Sequence, residues 1–202
     1  LFFWSLIRFK IDGVFITQRA DYASLAFWSK KIFGIPYYVK THGREFLLPW
    51  KLRSIRKNLK GANRIIAVSN FTKGELLKLG IPKDNIVVMP DGVDLIKFNP
   101  KLDPQSIISR YKLRDRKVVL TVSRLVKRKG HDNVIRALPE VLKRVPRVIY
   151  LIVGEGPEEN ALRRLAHDLR IDDRIVFAGH VSSEELPLYY NACDVFIMPN
   201  YE

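Results

Sequence analysis

The chain has 202 residues, an apolar fraction of 47% and a formal charge of +14, an ordinary apolar content for a soluble globular protein and enough length for one large domain or two smaller ones. A single cysteine, Cys193, excludes an intrachain disulfide, and no run approaches the roughly 20 apolar residues that a transmembrane helix needs. The charge is uneven: residues 1–60 hold 12 basic against 3 acidic side chains, residues 61–110 hold 7 against 5, and residues 111–202 hold 16 against 13. An excess confined to one segment points to a polyanionic surface, either anionic lipid or nucleic acid. Leu1 to Ile7 is too short for a signal sequence and lacks a basic start, so the expected location is the cytoplasm, at the inner face of the membrane if the basic segment meets lipid. The chain begins at Leu and stops at Glu202 directly after a predicted strand, and both ends are expected to be cuts.

In chain order, residues 1–60 read as an apolar lead-in, a strand Val14 to Thr17, a helix from about Tyr22 to Phe33 closed by Gly34-Ile35-Pro36, and a strand Tyr37 to Lys40, the glycine and proline marking the helix end. Thr41, His42 and Gly43 follow that strand at the position of a ligand-facing loop. Pro49 to Lys60 reads as a basic helix, with Trp50, Ile55 and Leu59 on one side and Lys51, Arg53, Arg56, Lys57 and Lys60 around them. Such a stripe suits an anionic membrane surface, although a solvated helix face has the same pattern. Arg64 to Val68 is a strand, Ser69 or Asn70 caps a helix through Leu79, Ile86 to Met89 is a further strand, and Phe98 to Pro104 reads as a connector. Strands alternating with helices predict parallel α/β sheets, divided as residues 1–100, a connector 101–117, and residues 118–202.

The central stretch of the second part runs strand, basic loop, helix, strand. Val118 to Val122 and Val148 to Val153 are short apolar runs of the buried parallel type. Between them Val134, Ile135, Leu138, Val141, Leu142 and Val145 recur at helical spacing behind a predicted N-cap at Asp132. In such a βαβ unit the loop after the first strand opens at the ligand-binding edge, and here it carries Arg124, Lys127, Arg128 and Lys129 before Gly130. Four cations beside a helix start suit a diphosphate; the bland alternative is a surface loop neutralised by acidic neighbours. Arg124 and Lys129, flanking the loop, are expected to point inward, and Lys127 and Arg128 to be solvated. Beyond it come a helix from Pro157 to Arg170 with acidic Glu158 and Glu159 at its start, a strand Arg174 to Ala178, a Ser182/Glu185 capping box and a last strand Asp194 to Met198. Pro139 and Pro187 predict kinks.

Several chemistries are absent by inspection. There is no phosphate-binding P-loop, Gly154-Glu155-Gly156 lacks the third glycine of a dinucleotide fingerprint, no zinc spacing or D-x-D pair occurs, and no G-x-S-x-G elbow surrounds Ser123. No metal or cofactor is therefore expected. Two fixed cations can stabilise a departing diphosphate electrostatically.

Three runs, VSRLVKRKGHDNVIRAL, YLIVGEGPEENALRRLA and VFAGHVSSEELPLYYNACDVFIMP, closely resemble the GT-B glycosyltransferases of family 4, which are retaining and use nucleotide sugars. ANRIIAVSNFTKGELLKLGI and IVVMPDGVDLIKFNP resemble the end of that family's first domain and its crossing into the second. Residues 1–60 match more loosely, through GIPYYVKTHG. The resemblance implies two Rossmann-like domains with parallel sheets, both incomplete: an acceptor domain and a nucleotide-sugar domain. It places Arg124 and Lys129 on the diphosphate, His42 on the donor sugar as the catalytic-side residue, and Gly179, His180 and Val181 at the base. It implies front-face attack, with the leaving phosphate taking the acceptor proton. The donor is then a nucleotide sugar and the acceptor a glycan, lipid or small molecule, with an anionic membrane surface as a further partner and no nucleic acid. Asp91 replaces the asparagine usual before Gly92, and the family's E-x7-E motif does not occur before Glu202. The fragment is expected to hold half an active site. Two other functions fit less well: a nonhydrolysing nucleotide-sugar epimerase, which needs an acid–base carboxylate pair, and a basic lipid- or nucleic-acid-binding module.

Overall fold

The computed structural model of the chain describes residues 8, 10–17, 22–43 and 52–201. They fall into two compact units, Leu1–Gly92 and Val93–Glu202, each built on a four-stranded parallel sheet. The apolar lead-in, Pro49, Trp50, Lys51 and Glu202 lie outside the described residues.

In the first unit strands β1 (Val14–Ile16), β2 (Tyr37–Thr41), β3 (Arg64–Ala67) and β4 (Ile86–Val88) pair in sequence order, all parallel. Alternate residues Tyr37, Val39 and Thr41 of β2 are buried while Tyr38 is exposed, as the two-residue pleat requires. Helix α1 (Ala23–Phe33) packs through the small residues Ala23, Ala26 and Ser29 and ends at Gly34, whose φ of 71° closes the helix. Helix α2 (Leu52–Gly61) sends Ile55 and Leu59 into the core and leaves Arg53, Arg56, Lys57 and Lys60 exposed. Its apolar side is thus spent on the protein's own core, so of the two readings of this stripe a membrane contact would have to use the charged face alone. Helix α3 (Asn70–Lys78) starts at Ser69, whose Oγ accepts the Thr72 N–H at 3.1 Å.

The second unit contains helix α4 (Gln105–Arg110), β5 (Lys117–Val122), α5 (His131–Arg144), β6 (Val148–Val153), α6 (Glu159–Asp168), β7 (Ile175–Gly179), α7 (Leu186–Asn191) and β8 (Val195–Phe196). The strand order is β7-β6-β5-β8, all parallel. Winding proceeds outward from β5 to β7 and then returns to the other side of β5, so the sheet has its topological switch point between β5 and β8. Strand β6 is buried throughout. Val148, Tyr150 and Ile152 pack with Ile135, Leu138, Leu162 and Ala166 on one face, and Ile149, Leu151 and Val153 with Ile107, Leu120 and Tyr189 on the other. A strand covered on both faces carries an unbroken apolar run.

Local departures from the sequence reading have simple causes. Residues 101–117 include α4, whose Ile107 is fully buried in the second unit's core. Gly130, with φ 66°, occupies the cap position of α5, because His131 is already helical and Asp132 falls in the first turn. Pro139 lies inside an uninterrupted α5. Ser182 Oγ accepts the Glu185 N–H at 3.1 Å, but the Glu185 carboxylate reaches Arg110 at 2.7 Å instead of closing the box. Pro187 then sits in the first turn of α7, where its missing N–H has no intrahelical partner to lose. Leu151 is fully buried in the central strand; Leu151→Ala should lower unfolding free energy by about 2–5 kcal/mol in a denaturant titration.

Candidate active site

The carboxyl end of β5 is held by backbone contacts that continue the sheet past its last formal pair. Ser123 N–H donates to Val153 O at 3.0 Å, Leu125 N–H to Glu155 O at 2.9 Å, and Gly154 N–H to Gly179 O at 2.8 Å. Such close passage explains Gly154-Glu155-Gly156. A β-carbon on Gly154 would stand 2.0 Å from Ser123 O, and one on Gly156 would stand 2.3 Å from Leu125 O. The glycines therefore serve sheet-edge packing.

Lys127 to Lys129 form a short 3-10 turn that leads into α5 through Gly130. The chain following β8 closes against this loop: a β-carbon on Gly130 would stand 1.8 Å from Pro199 O. Tyr201 N–H donates to Arg128 O at 2.9 Å and Tyr201 Oη–H to the Asp132 carboxylate at 2.9 Å. The basic loop thus stands at the switch point, bounded by the segments after β6 and β8.

Arg124, Lys127 and Arg128 are exposed and Lys129 is half-buried, so the expected inward orientation of Arg124 and Lys129 gives way to a solvent-open Arg124. Among the described residues none of the four cations forms an ion pair. Among the described residues the hydrogen-bond partner of Lys129 Nζ is Met198 Sδ, at 3.9 Å. Neutralisation by acidic neighbours, the bland alternative for this loop, is not what the side chains do. Glu159, at the start of α6, is engaged with Arg163 at 2.8 Å.

Gly179, at the end of β7, has φ 69°. His180 is exposed and its N–H donates to Glu155 Oε1 at 3.3 Å, while Val181 is half-buried against the cluster of Ile107 and Tyr189. Glu155 therefore ties the two predicted binding segments together, its carbonyl holding Leu125 and its carboxylate holding His180. His42 belongs to the first unit. It lies one residue past β2, exposed, with Nε2 2.9 Å from Thr17 O. Nearby, Asp91 accepts from Lys40 Nζ, and this bond, with the Lys40 charge, holds its carboxyl below the usual range.

A group that the sequence reading passed over lies beneath the loop. His131 is 2% exposed. Its Nε2 is 3.0 Å from Ser123 Oγ and its Nδ1 3.2 Å from Tyr150 Oη. Tyr150 Oη–H donates to Thr121 Oγ1 at 2.9 Å, and Thr121 Oγ1–H to Ile197 O at 2.8 Å. The signal was present in the spacing, since His131, Ile135 and Leu138 stand at i, i+4 and i+7 on the core face of α5. Burial pushes the His131 imidazole below its ordinary value, against pulls in the other direction from the Arg124 carbonyl and the Asp132 carboxylate. Burial likewise raises the Tyr150 phenol to about 12. Among the described residues no group of three or more His, Cys, Asp or Glu is placed to hold a metal ion.

Comparison with known proteins bears on both units. Residues 2–97 match the family described as Glycosyltransferase Family 4, and residues 105–202 match Glycosyl transferases group 1. The chain belongs to glycosyltransferase family 4. The chain is 36% identical, over 94% of its length and 50% of the relative's, to the GDP-mannose-dependent alpha-(1-6)-phosphatidylinositol monomannoside mannosyltransferase of Mycolicibacterium smegmatis. It thus spans about half the length of the curated relatives it matches. Its fold is that of the Anabaena protein Alr3699/HepE solved with UDP, at a TM-score of 0.83 and 20% identity over 94% of this chain and 54% of that one. A glycosyltransferase from Rickettsia africae ESF-5 aligns at a TM-score of 0.79 and 26% identity, covering 98% and 53% of the two chains.

The His131 shift makes a prediction about acid stability. The folded value lies below the unfolded value of about 6.5, so the unfolded state binds the proton more readily; stability is full above that pH and declines as the pH falls below it toward the folded value. Denaturation midpoints measured between pH 7.5 and 5 should fall in the wild type and fall less in His131→Phe.

Proposed function

We propose that this chain carries the donor-diphosphate site of a glycosyltransferase that moves a sugar from a nucleoside-diphosphate donor to an acceptor with retention of configuration. The observation that carries the reading is the loop at the switch point, whose four cations have no acidic partner among the described residues. Unpaired guanidinium and ammonium groups at such a site are suited to a diphosphate, and they stabilise the charge that develops as it leaves. In this scheme Arg124 and Lys129 hold the diphosphate, no metal is needed for that task, and the turn Gly179, His180 and Val181 meets the base. His42 approaches the donor sugar. We assign GDP-mannose as donor and a phosphatidylinositol-linked lipid as acceptor, on the likeness to the mycobacterial mannosyltransferase. Radiolabelled mannose should pass from GDP-mannose into a chloroform-soluble product; transfer from UDP-glucose alone would move the donor assignment while leaving the reaction class.

Arg124→Ala and Lys129→Ala should each weaken GDP binding by more than about 1 kcal/mol, roughly fivefold, by calorimetry, and unchanged affinity in both would remove the site assignment. His42→Ala should lower turnover more than nucleotide affinity, because its partner is the sugar rather than the phosphates.

A lipid acceptor calls for contact with a bilayer, and no helix among the described residues is long and apolar enough to cross one. We propose electrostatic docking through the outward face of α2, where Arg53, Arg56, Lys57 and Lys60 are exposed. Each basic residue near an anionic surface contributes about 1 kcal/mol. Vesicles containing phosphatidylserine should co-sediment the protein at low salt and release it at high salt. Phosphatidylcholine vesicles should not, nor should duplex DNA shift in a gel.

A further inference from the structure

The buried polar chain beneath the basic loop is used by none of the roles above. Counting its protons fixes its direction. Each hydroxyl has one hydrogen to give. Thr121 spends its own on Ile197 O and so accepts from Tyr150, which in turn has none left for His131. Nδ1 of His131 must then be the donor to Tyr150 Oη. In the neutral ring Nε2 is left as an acceptor, and the Ser123 hydroxyl stands 3.0 Å from it, closer than that hydroxyl's other acceptor, the Arg124 carbonyl at 3.4 Å. The chain therefore runs one way, from Ser123 through α5 and β6 to the carbonyl that follows β8. Ser123 immediately precedes Arg124, whose guanidinium has no partner among the described residues.

We propose that His131 is a positioning residue for nucleoside-diphosphate binding: protonated at Nδ1 and bare at Nε2, it holds the Ser123 hydroxyl and thereby fixes the root of the loop that presents Arg124. The inference rests on the donor-diphosphate reading given above. A loop fixed before the ligand arrives loses less conformational freedom on binding, and a side chain oriented from behind keeps its geometry better than one carried on a free loop. The anchor also spans the switch point, because Ile197 lies on the opposite wall from Ser123. Movement of either wall breaks the same chain of bonds.

The test uses the full-length protein, with GDP and UDP as probes. Ser123→Ala should weaken nucleotide binding about fivefold with an unchanged melting temperature, and Ser123→Thr, which restores a hydroxyl, should return affinity to within about twofold of wild type. His131→Phe should lose as much as Ser123→Ala, and the double variant no more than either single one, since both remove one connection. Nitrogen-15 spectra of the wild type should show His131 neutral with its proton on Nδ1. Wild-type affinity in Ser123→Ala and His131→Phe, losses that multiply in the double variant, or a proton on Nε2 would each overturn the assignment. Binding lost in Arg124→Ala but retained in Ser123→Ala defeats this inference alone. A wild type that binds neither nucleotide defeats the donor reading and this inference with it.

Discussion

The second unit depends on one arrangement of backbone: the first strand of the sheet lies between the second and the fourth. With β5 in that place, the chain leaving it emerges between two walls, one formed after β6 and one after β8. Backbone bonds from Ser123, Leu125 and Gly154 keep the near wall in register beyond the strands. Pro199 and Tyr201 close the far one. The loop owes its place between these walls to this topology, and among the described residues its four cations form no ion pair there. The same four cations on an outer helix face would stand apart from both walls, as those of α2 do.

Strand interiors were the most legible part of the sequence. Val148 to Val153 was read to the residue, because burial on both faces leaves an apolar run with no polar position to blur its ends. Strand β8 was read three residues too long, since Asp194 and Ile197 continue its pattern yet bond to Val118 and Leu120 without adding sheet pairs. Helix caps were less legible. Asp132 has the right chemistry for a cap, but Gly130 alone accommodates both the turn and the close carbonyl of Pro199. That carbonyl comes from 69 positions along the chain, a distance that local pattern does not register.

The candidate site can be proposed from composition and position, but its support cannot be read from either. Arg124 and Lys129 stand out as charges at a strand end, and a family resemblance gives them roles. Glu155 does not stand out, because its two bonds run to residues 125 and 180. His131 reads as one more position on an apolar helix face until Tyr150, on a different element, is seen to meet it. Side chains that act through other side chains leave no periodic trace; their partners are chosen by topology.

The close approach of Pro199 to Gly130, together with the two bonds from Tyr201, means that the basic loop is not a portable module. Transplanting residues 123 to 130 into a related scaffold would carry the charges and leave behind the carbonyl that shapes Gly130 and the phenol that caps Asp132. A chimera that exchanges this loop between relatives must move the segment after β8 with it, as one composite unit drawn from two distant stretches of sequence.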